Sequence, residues 1–189
     1  MRAFLGGVVA ATLSLGVVAD AQATALRVVN TNDSGLGSLR AAVARANATA
    51  GHDTIAFEIP GAGPHRITLE TALPVISDPV TIDGLTQDGA APPTVSAPAT
   101  LQVELDAGRT AIGLDLQADD SHLTGLVVNG ADWTVGGCHH IRIAGDRNRV
   151  TASHVGTDAA GTAPVGANCT GIEIAGAANR VGGRRASAT

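Results

Sequence analysis

Lysine and tyrosine are missing from this sequence. All 12 of its cations are arginine, and its aromatics are two Phe and one Trp, 2% of 189 residues. With a net charge of −5, the chain has neither the basic footprint nor the stacking platforms by which proteins hold nucleic acid. Charged residues are scarce as well, at 15% against 44% hydrophobic, which excludes a disordered polyelectrolyte. No G-x-S-x-G, H-E-x-x-H or P-loop occurs, so the common signatures of serine hydrolases, zinc proteases and nucleotide binders are absent. Glycine, by contrast, is plentiful at 24 residues, nearly twice the usual share. A chain of this length and make-up suits one turn-rich β domain built on small aliphatic side chains.

The first residues read as an export leader. Met1-Arg2 opens with a positive charge. Ala3 to Ala19 is apolar except for Thr12 and Ser14, and small-x-small sites follow at Ala19–Ala21, Ala21–Ala23 and Ala23–Ala25. That order is a secretory signal peptide over 1–23. The run is interrupted by glycines and hydroxyls, and is marginal for spanning about 30 Å of hydrocarbon. No later run approaches the roughly 18 apolar residues a span needs, so no membrane anchor is expected in the mature chain. The expected location is secreted: periplasm, cell surface or extracellular space.

Past the leader, the sequence repeats. Ile141–Val150 (IRIAGDRNRV) and Ile172–Val181 (IEIAGAANRV) match at seven of ten positions, and Leu114–Leu123 is a looser copy. The shared unit is apolar-x-apolar, a polar turn and another apolar residue. Alternation of period two gives a strand with one buried face. Ile55-Phe57-Ile59, Ile67-Leu69, Val80-Ile82 and Leu101-Val103-Leu105 alternate likewise, separated by Pro/Gly/Asn turns. Two apolar residues per strand cannot make a free-standing core, but strands stacked on copies of themselves bury a continuous column. The fold class expected is all-β, a parallel β-helix solenoid.

Ser38–Ala48 (SLRAAVARANA) breaks the β pattern. Leu39, Val43 and Ala46 share one face, Ser38 suits the N-cap and Gly51 follows the end. A solenoid exposes an apolar end that must be covered, and a short N-terminal capping helix would cover it. The expected division is a leader over 1–23, a cap strand and helix over 24–52, coils over 53–183 and a disordered or truncated tail over 184–189.

Val28–Arg40 (VVNTNDSGLGSLR), Ala46-Asn47 and Gly51–Phe57 (GHDTIAF) together resemble the CSLREA-type N-terminal segment of bacterial secreted right-handed β-helix proteins. Ile59–His65, Ile67–Leu69, Leu73–Ile76, Val80–Gly84 and Thr86-Gln87 resemble the first coils of that family. Asn148–Val150, Val155–Thr162 and Asn179–Gly183 resemble its turn phrases. The likeness spans about 26–183. It departs at Gly37, where the namesake pattern has Cys, and at Ala41, where it has Glu. The resemblance implies a right-handed parallel β-helix of pectin-lyase-like architecture, exported and often surface-associated. It implies no established activity. Many members are longer, which suggests a truncated gene product here.

Asp83, Glu104, Asp106 and Asp115 all have outward parity, and Asp83 and Glu104 stand about one coil apart in sequence. Should the chain be an enzyme, Asp83, Glu104 and Asp106 are the candidates, because neighbouring carboxylates can raise one pKa for acid-base work. No cofactor is expected, although the same carboxylates could hold a hard cation such as Ca²⁺. The plainer reading, and the one preferred, is a solvated polar face that keeps the strands soluble. No lysine exists, and no arginine has the parity and position of a lyase base. Cys138-His139-His140 lacks the spaced pairs of a zinc site, so no metal site is expected. Asp158 is expected to hold a side-chain turn.

Cys138 and Cys169 share the offset of the repeat, each three before its isoleucine. Equivalent positions on adjacent coils lie about 4.8 Å apart, within the Cα range of a disulfide, and export supplies an oxidising compartment. In-register side chains that point the same way oppose the bond, so a disulfide and two buried small side chains both remain open. Two functions follow: a secreted or cell-surface structural or interaction protein, or a polysaccharide lyase or hydrolase of pectin-lyase-like fold. Expected partners are carbohydrate or cell-envelope components, and the last coil, Ile172–Val181, is expected to self-associate through its uncovered edge.

Overall fold

The structure, a computed structural model, describes residues 25–182 apart from Ala167. The leader at 1–23 and the tail at 184–189 lie outside the described residues. Strand β1 (Ala25–Val28) precedes helix α1 (Leu39–Ala46). Then follow β2 (Asp53–Phe57), β3 (His65–Thr68), β4 (Val80–Asp83), β5 (Val103–Asp106), β6 (Ile112–Leu116) and β7 (His122–Thr124). The chain continues with β8 (Leu126–Asn129), β9 (His139–Ile143), β10 (Arg149–Thr151), β11 (His154–Val155), β12 (Thr170–Ile174) and β13 (Arg180–Val181).

These strands form three sheets whose ladders are all parallel. The first sheet runs β1-β2-β4-β7-β10-β13, the second β3-β5-β8-β11, and the third β6-β9-β12. From β4 onward the chain visits first, second and third sheet in strict rotation. Among the described residues, no helix is long and apolar enough to cross a membrane.

Alternation decides which residues meet inside. Leu26, Ile55, Ile82, Leu123, Val150 and Val181 are successive register partners in the first sheet. Ile67, Leu105, Val128 and Val155 follow one another in the second, and Leu114, Ile141 and Ile172 in the third. The fully buried members, with Phe57, Leu69 and Ile76, make one core cluster. The interval of the sequence repeat is thus the step from one strand to the strand stacked on it. The looser copy also pairs in register, Leu114 with Ile141, Leu116 with Ile143 and Leu123 with Val150. Spacing is otherwise uneven: the stretch of chain from Ile82 to its partner Leu123 is half as long again as that from Ile55 to Ile82. The excess lies between β4 and β5, where Ala91 and Thr100 close an antiparallel excursion.

Where the chain returns from the third sheet to the first, side-chain amides replace the apolar column, the buried Asn148 and the half-buried Asn179. Asn148 Oδ1 accepts from the Ser121 N–H at 2.8 Å, and Asn179 Oδ1 accepts from the Asn148 N–H at 2.7 Å. Each Nδ2 donates to a turn carbonyl one coil away, Asn148 to Ala118 at 2.9 Å and Asn179 to Gly145 at 2.8 Å. Ser121 Oγ accepts from the Val80 N–H at 3.1 Å and continues the series. The coils stack so closely here that a Cβ on Gly145 would sit 2.0 Å from the Ala118 oxygen.

Helix α1 packs on β1 and β2. Ser38 Oγ accepts from the Ala41 N–H, and Leu39, Ala42, Val43 and Ala46 are buried. The strongest ties come from Arg40, which donates to Asp33 Oδ1 at 2.6 Å and to the carbonyls of Thr71 and Ala72 at 2.7 and 2.6 Å. Asp33 Oδ1 also accepts from the Glu70 N–H at 3.0 Å. Asn47 bonds the carbonyl of Val75 and the N–H of Ser77. Gly37, at φ +75°, has no room for a side chain, since a Cβ would lie 2.5 Å from Val29 Cγ2. Arg40 and Asn47 therefore hold the segment, with no cysteine taking part.

Two outcomes are expected. Asn148→Ala strands the Ser121 N–H and the Ala118 carbonyl in the interior, and urea denaturation should show a loss of about 2–5 kcal/mol. Asp33 is the second. Burial alone would raise its carboxyl, but the Arg40 guanidinium and the Glu70 N–H outweigh burial and hold it below its ordinary 3.8. A depressed folded pKa stabilises fully above the unfolded value, and the contribution is lost as pH falls through the folded one. Asp33→Asn should therefore unfold more easily than the wild type at neutral pH, and the gap should close as pH falls below the ordinary carboxylate value. A gap that stays constant with pH would refute this.

Candidate functional site

The outer face of the second sheet gathers most of the candidate chemistry. Arg66, Glu104, Val127 and His154 are register partners across β3, β5, β8 and β11, and Thr68, Asp106 and Asn129 form the next row. Arg66 is held by Asp106: Nη2 and Nε donate to Asp106 Oδ2 at 2.8 and 3.2 Å. Its Nη1 lies 3.5 Å from Glu104 Oε1. The hydrogen bond from Arg66 to Asp106, aided by both carboxylate charges, raises the guanidinium above its ordinary value. Asp106 also accepts from Thr68 Oγ1 and from the Gly108 N–H. Asn129, fully buried, donates to Glu104 Oε1 at 3.0 Å and to the Thr157 carbonyl at 2.9 Å.

Access to this cluster is narrow. The Glu104 and Asp106 side chains are 13% and 10% exposed, against 53% for Arg66. The loop after β11 folds back over the sheet. Gly161 lies against the His154 ring, and Ala159 and Ala160 face Pro64 and Leu101 across a groove of about 390 Å³. Val127, an outward residue between Glu104 and His154 in the register, is fully buried. Asp158 shapes the loop. Its Oδ1 accepts from the Thr162 N–H at 2.7 Å and its Oδ2 from Thr162 Oγ1 at 3.0 Å. The bond from the Thr162 N–H is the main reason its carboxyl lies below the usual range.

The other carboxylates stand elsewhere. Asp83 belongs to the first sheet, beside Ala56 and Thr124, and its Oδ1 accepts from the Leu85 N–H at 2.9 Å to start a tight turn. The stretch between Asp83 and Glu104 carries the chain from one sheet to the next, so the two do not stack. Asp115 lies in the third sheet, where Asp115, Arg142 and Glu173 are register partners of alternating sign. Arg142 is 3.4 Å from Asp115 and 3.7 Å from Glu173. The structure therefore brings Glu104 and Asp106 together and leaves Asp83 apart. Beside both carboxylates stands Arg66, the register partner of Glu104 one lengthened coil earlier, and only the alternation of Arg66 with Ile67 marks it in the sequence.

Cys138 and Cys169 form a disulfide with Cα atoms 5.1 Å apart. It packs with Ala107 and Ala131 in a small second core. Closing a loop of 31 residues contributes about 3–4 kcal/mol in the chain-entropy treatment. The two neighbouring histidines part company. His139 faces Glu173 at 3.4 Å, whereas His140 is buried, its Nδ1 accepting from the Ala131 N–H at 3.4 Å. Burial holds the His140 ring below its ordinary value.

No known protein family and no curated protein matches this chain.

A double-mutant cycle measures what binds the cluster. Arg66→Gln, Asp106→Asn and the double variant should give a coupling of about 0.5–1.5 kcal/mol by urea denaturation, because the exposed flank of Arg66 keeps the pair weaker than a fully buried one. A coupling of zero would show that the two side chains merely lie side by side.

Proposed function

We propose that the chain is a secreted or cell-surface structural or interaction protein, a right-handed parallel β-helix of pectin-lyase-like architecture without catalytic activity. The rotation of strands through three sheets around one aliphatic core supports a closed solenoid. Right-handedness follows from the near-universal hand of crossovers between parallel strands. The leader-like N-terminus and a disulfide, which persists in oxidising compartments, support export.

The observation that carries the non-catalytic reading is the state of the carboxylates. A lyase or hydrolase of this architecture would need a free base facing a groove. Glu104 and Asp106 are instead tied to Arg66 and Asn129 under a folded-back loop, and Asp83 stands on another sheet. Each carboxylate already has a structural partner, which suits a rigid scaffold that presents loops.

The protein incubated with polygalacturonate and with neutral glucans, with and without Ca²⁺, should release no unsaturated uronate by ultraviolet absorbance and no reducing ends. Turnover that disappears in Glu104→Gln would establish the lyase or hydrolase reading instead.

A further inference from the structure

The first sheet carries a charge pattern that its neighbours avoid. On the third sheet Asp115, Arg142 and Glu173 alternate in sign, and on the second Arg66 stands against Glu104. On the first, His122, Arg149 and Arg180 are successive register partners. The strands bearing the two arginines lie about 4.8 Å apart, and like charges directly opposite destabilise a strand pair. Both arginines are exposed, and neither forms an ion pair with a carboxylate among the described residues. His122 bonds Thr151 Oγ1 at 2.7 Å. Burial, with Arg149 beside it, keeps its ring below the ordinary histidine value, so it favours the neutral form over a third positive charge in the column.

The turns that precede these strands shape a hollow beside them. Asp120, Arg147 and Ala178 occupy equivalent places, at φ of 53°, 56° and 58°. Asp120 accepts from Arg147 at 2.8 and 2.7 Å, and Asp119 accepts from it at 3.2 Å. The next place in this column holds Ala178, whose short side chain carries no group to reach across to Arg147. A hollow of about 520 Å³ results, lined by Arg147, Arg149, Ala178 and Arg180. Among the described residues, three guanidinium groups border it and no carboxylate does, Asp119 and Asp120 being engaged by Arg147.

We propose that this hollow binds the phosphate or sulfate group of an anionic ligand, with Arg149 and Arg180 as the two principal forks and Arg147 at the rim. Guanidinium groups meet oxyanions with paired, charge-assisted hydrogen bonds, and a bound anion removes the repulsion between the stacked arginines. The site is on a different sheet from the Arg66 cluster and does not depend on the absence of catalysis there.

Calorimetric titration of the full chain at low ionic strength tests it, with inorganic phosphate, inorganic sulfate and acetate as separate probes. Saturable binding of phosphate or sulfate is expected with a Kd of about 1 mM, and whichever binds more tightly identifies the group. Arg149→Gln and Arg180→Gln should each weaken it by about tenfold or more, while Arg27→Gln, at the opposite edge of the same sheet, should not. In anion-free buffer the two hollow variants should melt no lower than the wild type, because the repulsion is gone, and this reading also shows that they fold. Only the wild type should then gain melting temperature on adding the anion. The assignment is overturned by unsaturable binding of both tetrahedral anions, by equal affinity for acetate, by undiminished binding in the variants, or by variants that melt lower without anion.

Discussion

A parallel strand can complete its backbone hydrogen bonds only through strands of neighbouring coils, and here all three sheets must satisfy this at the same height. The constraint governs what each position can be. Inward residues have to repeat as apolar columns, hence Leu26 through Val181 in the first sheet and Ile67 through Val155 in the second. The corners must keep the same rise as the strands. At the return from third to first sheet, the side chains of Asn148 and Asn179 supply the bonds that turning backbone cannot make for itself. Helix α1 answers the same demand at the β1 edge, where it lays Leu39, Ala42, Val43 and Ala46 against the core.

The outer faces obey a second rule. Side chains of adjacent coils stand about 4.8 Å apart, so charge becomes a column property and each charge is felt by the one stacked on it. Asp115-Arg142-Glu173 and Arg66-Glu104 satisfy it with alternating sign. The same closeness brings Arg66 against both Glu104 and Asp106 on the second sheet. Arg149 and Arg180, like charges paired directly on adjacent strands, depart from the rule, and such a departure is where a ligand is best sought.

How much of this the sequence revealed depended on whether a coil kept its length. The copies at Leu114, Ile141 and Ile172 follow one another at nearly equal intervals, and their similarity made the stacking legible, the Cys138–Cys169 proximity with it. Ser38 as an N-cap was legible too, because its partner lies three residues away. The excursion near Ala91–Thr100 lengthens one coil, and this hid the pairing of Arg66 with Glu104. Sequence distance was then mistaken for stacking at Asp83 and Glu104, which belong to different sheets of one circuit. Arg40 was invisible as a fastener for another reason. Its partners Thr71 and Ala72 offer only backbone carbonyls, and those leave no mark in a sequence.

The disulfide has a consequence for survival under proteolysis. Cys138 and Cys169 enclose the loop whose tip carries Ala159 and Ala160, a natural place for a protease to cut. A single cut there would divide the chain into two peptides, yet both would stay joined through sulfur, with β12 and β13 still hydrogen-bonded to β9 and β10. The wound would be covalent without being structural, and a nicked molecule would keep its outline until it met a reducing environment.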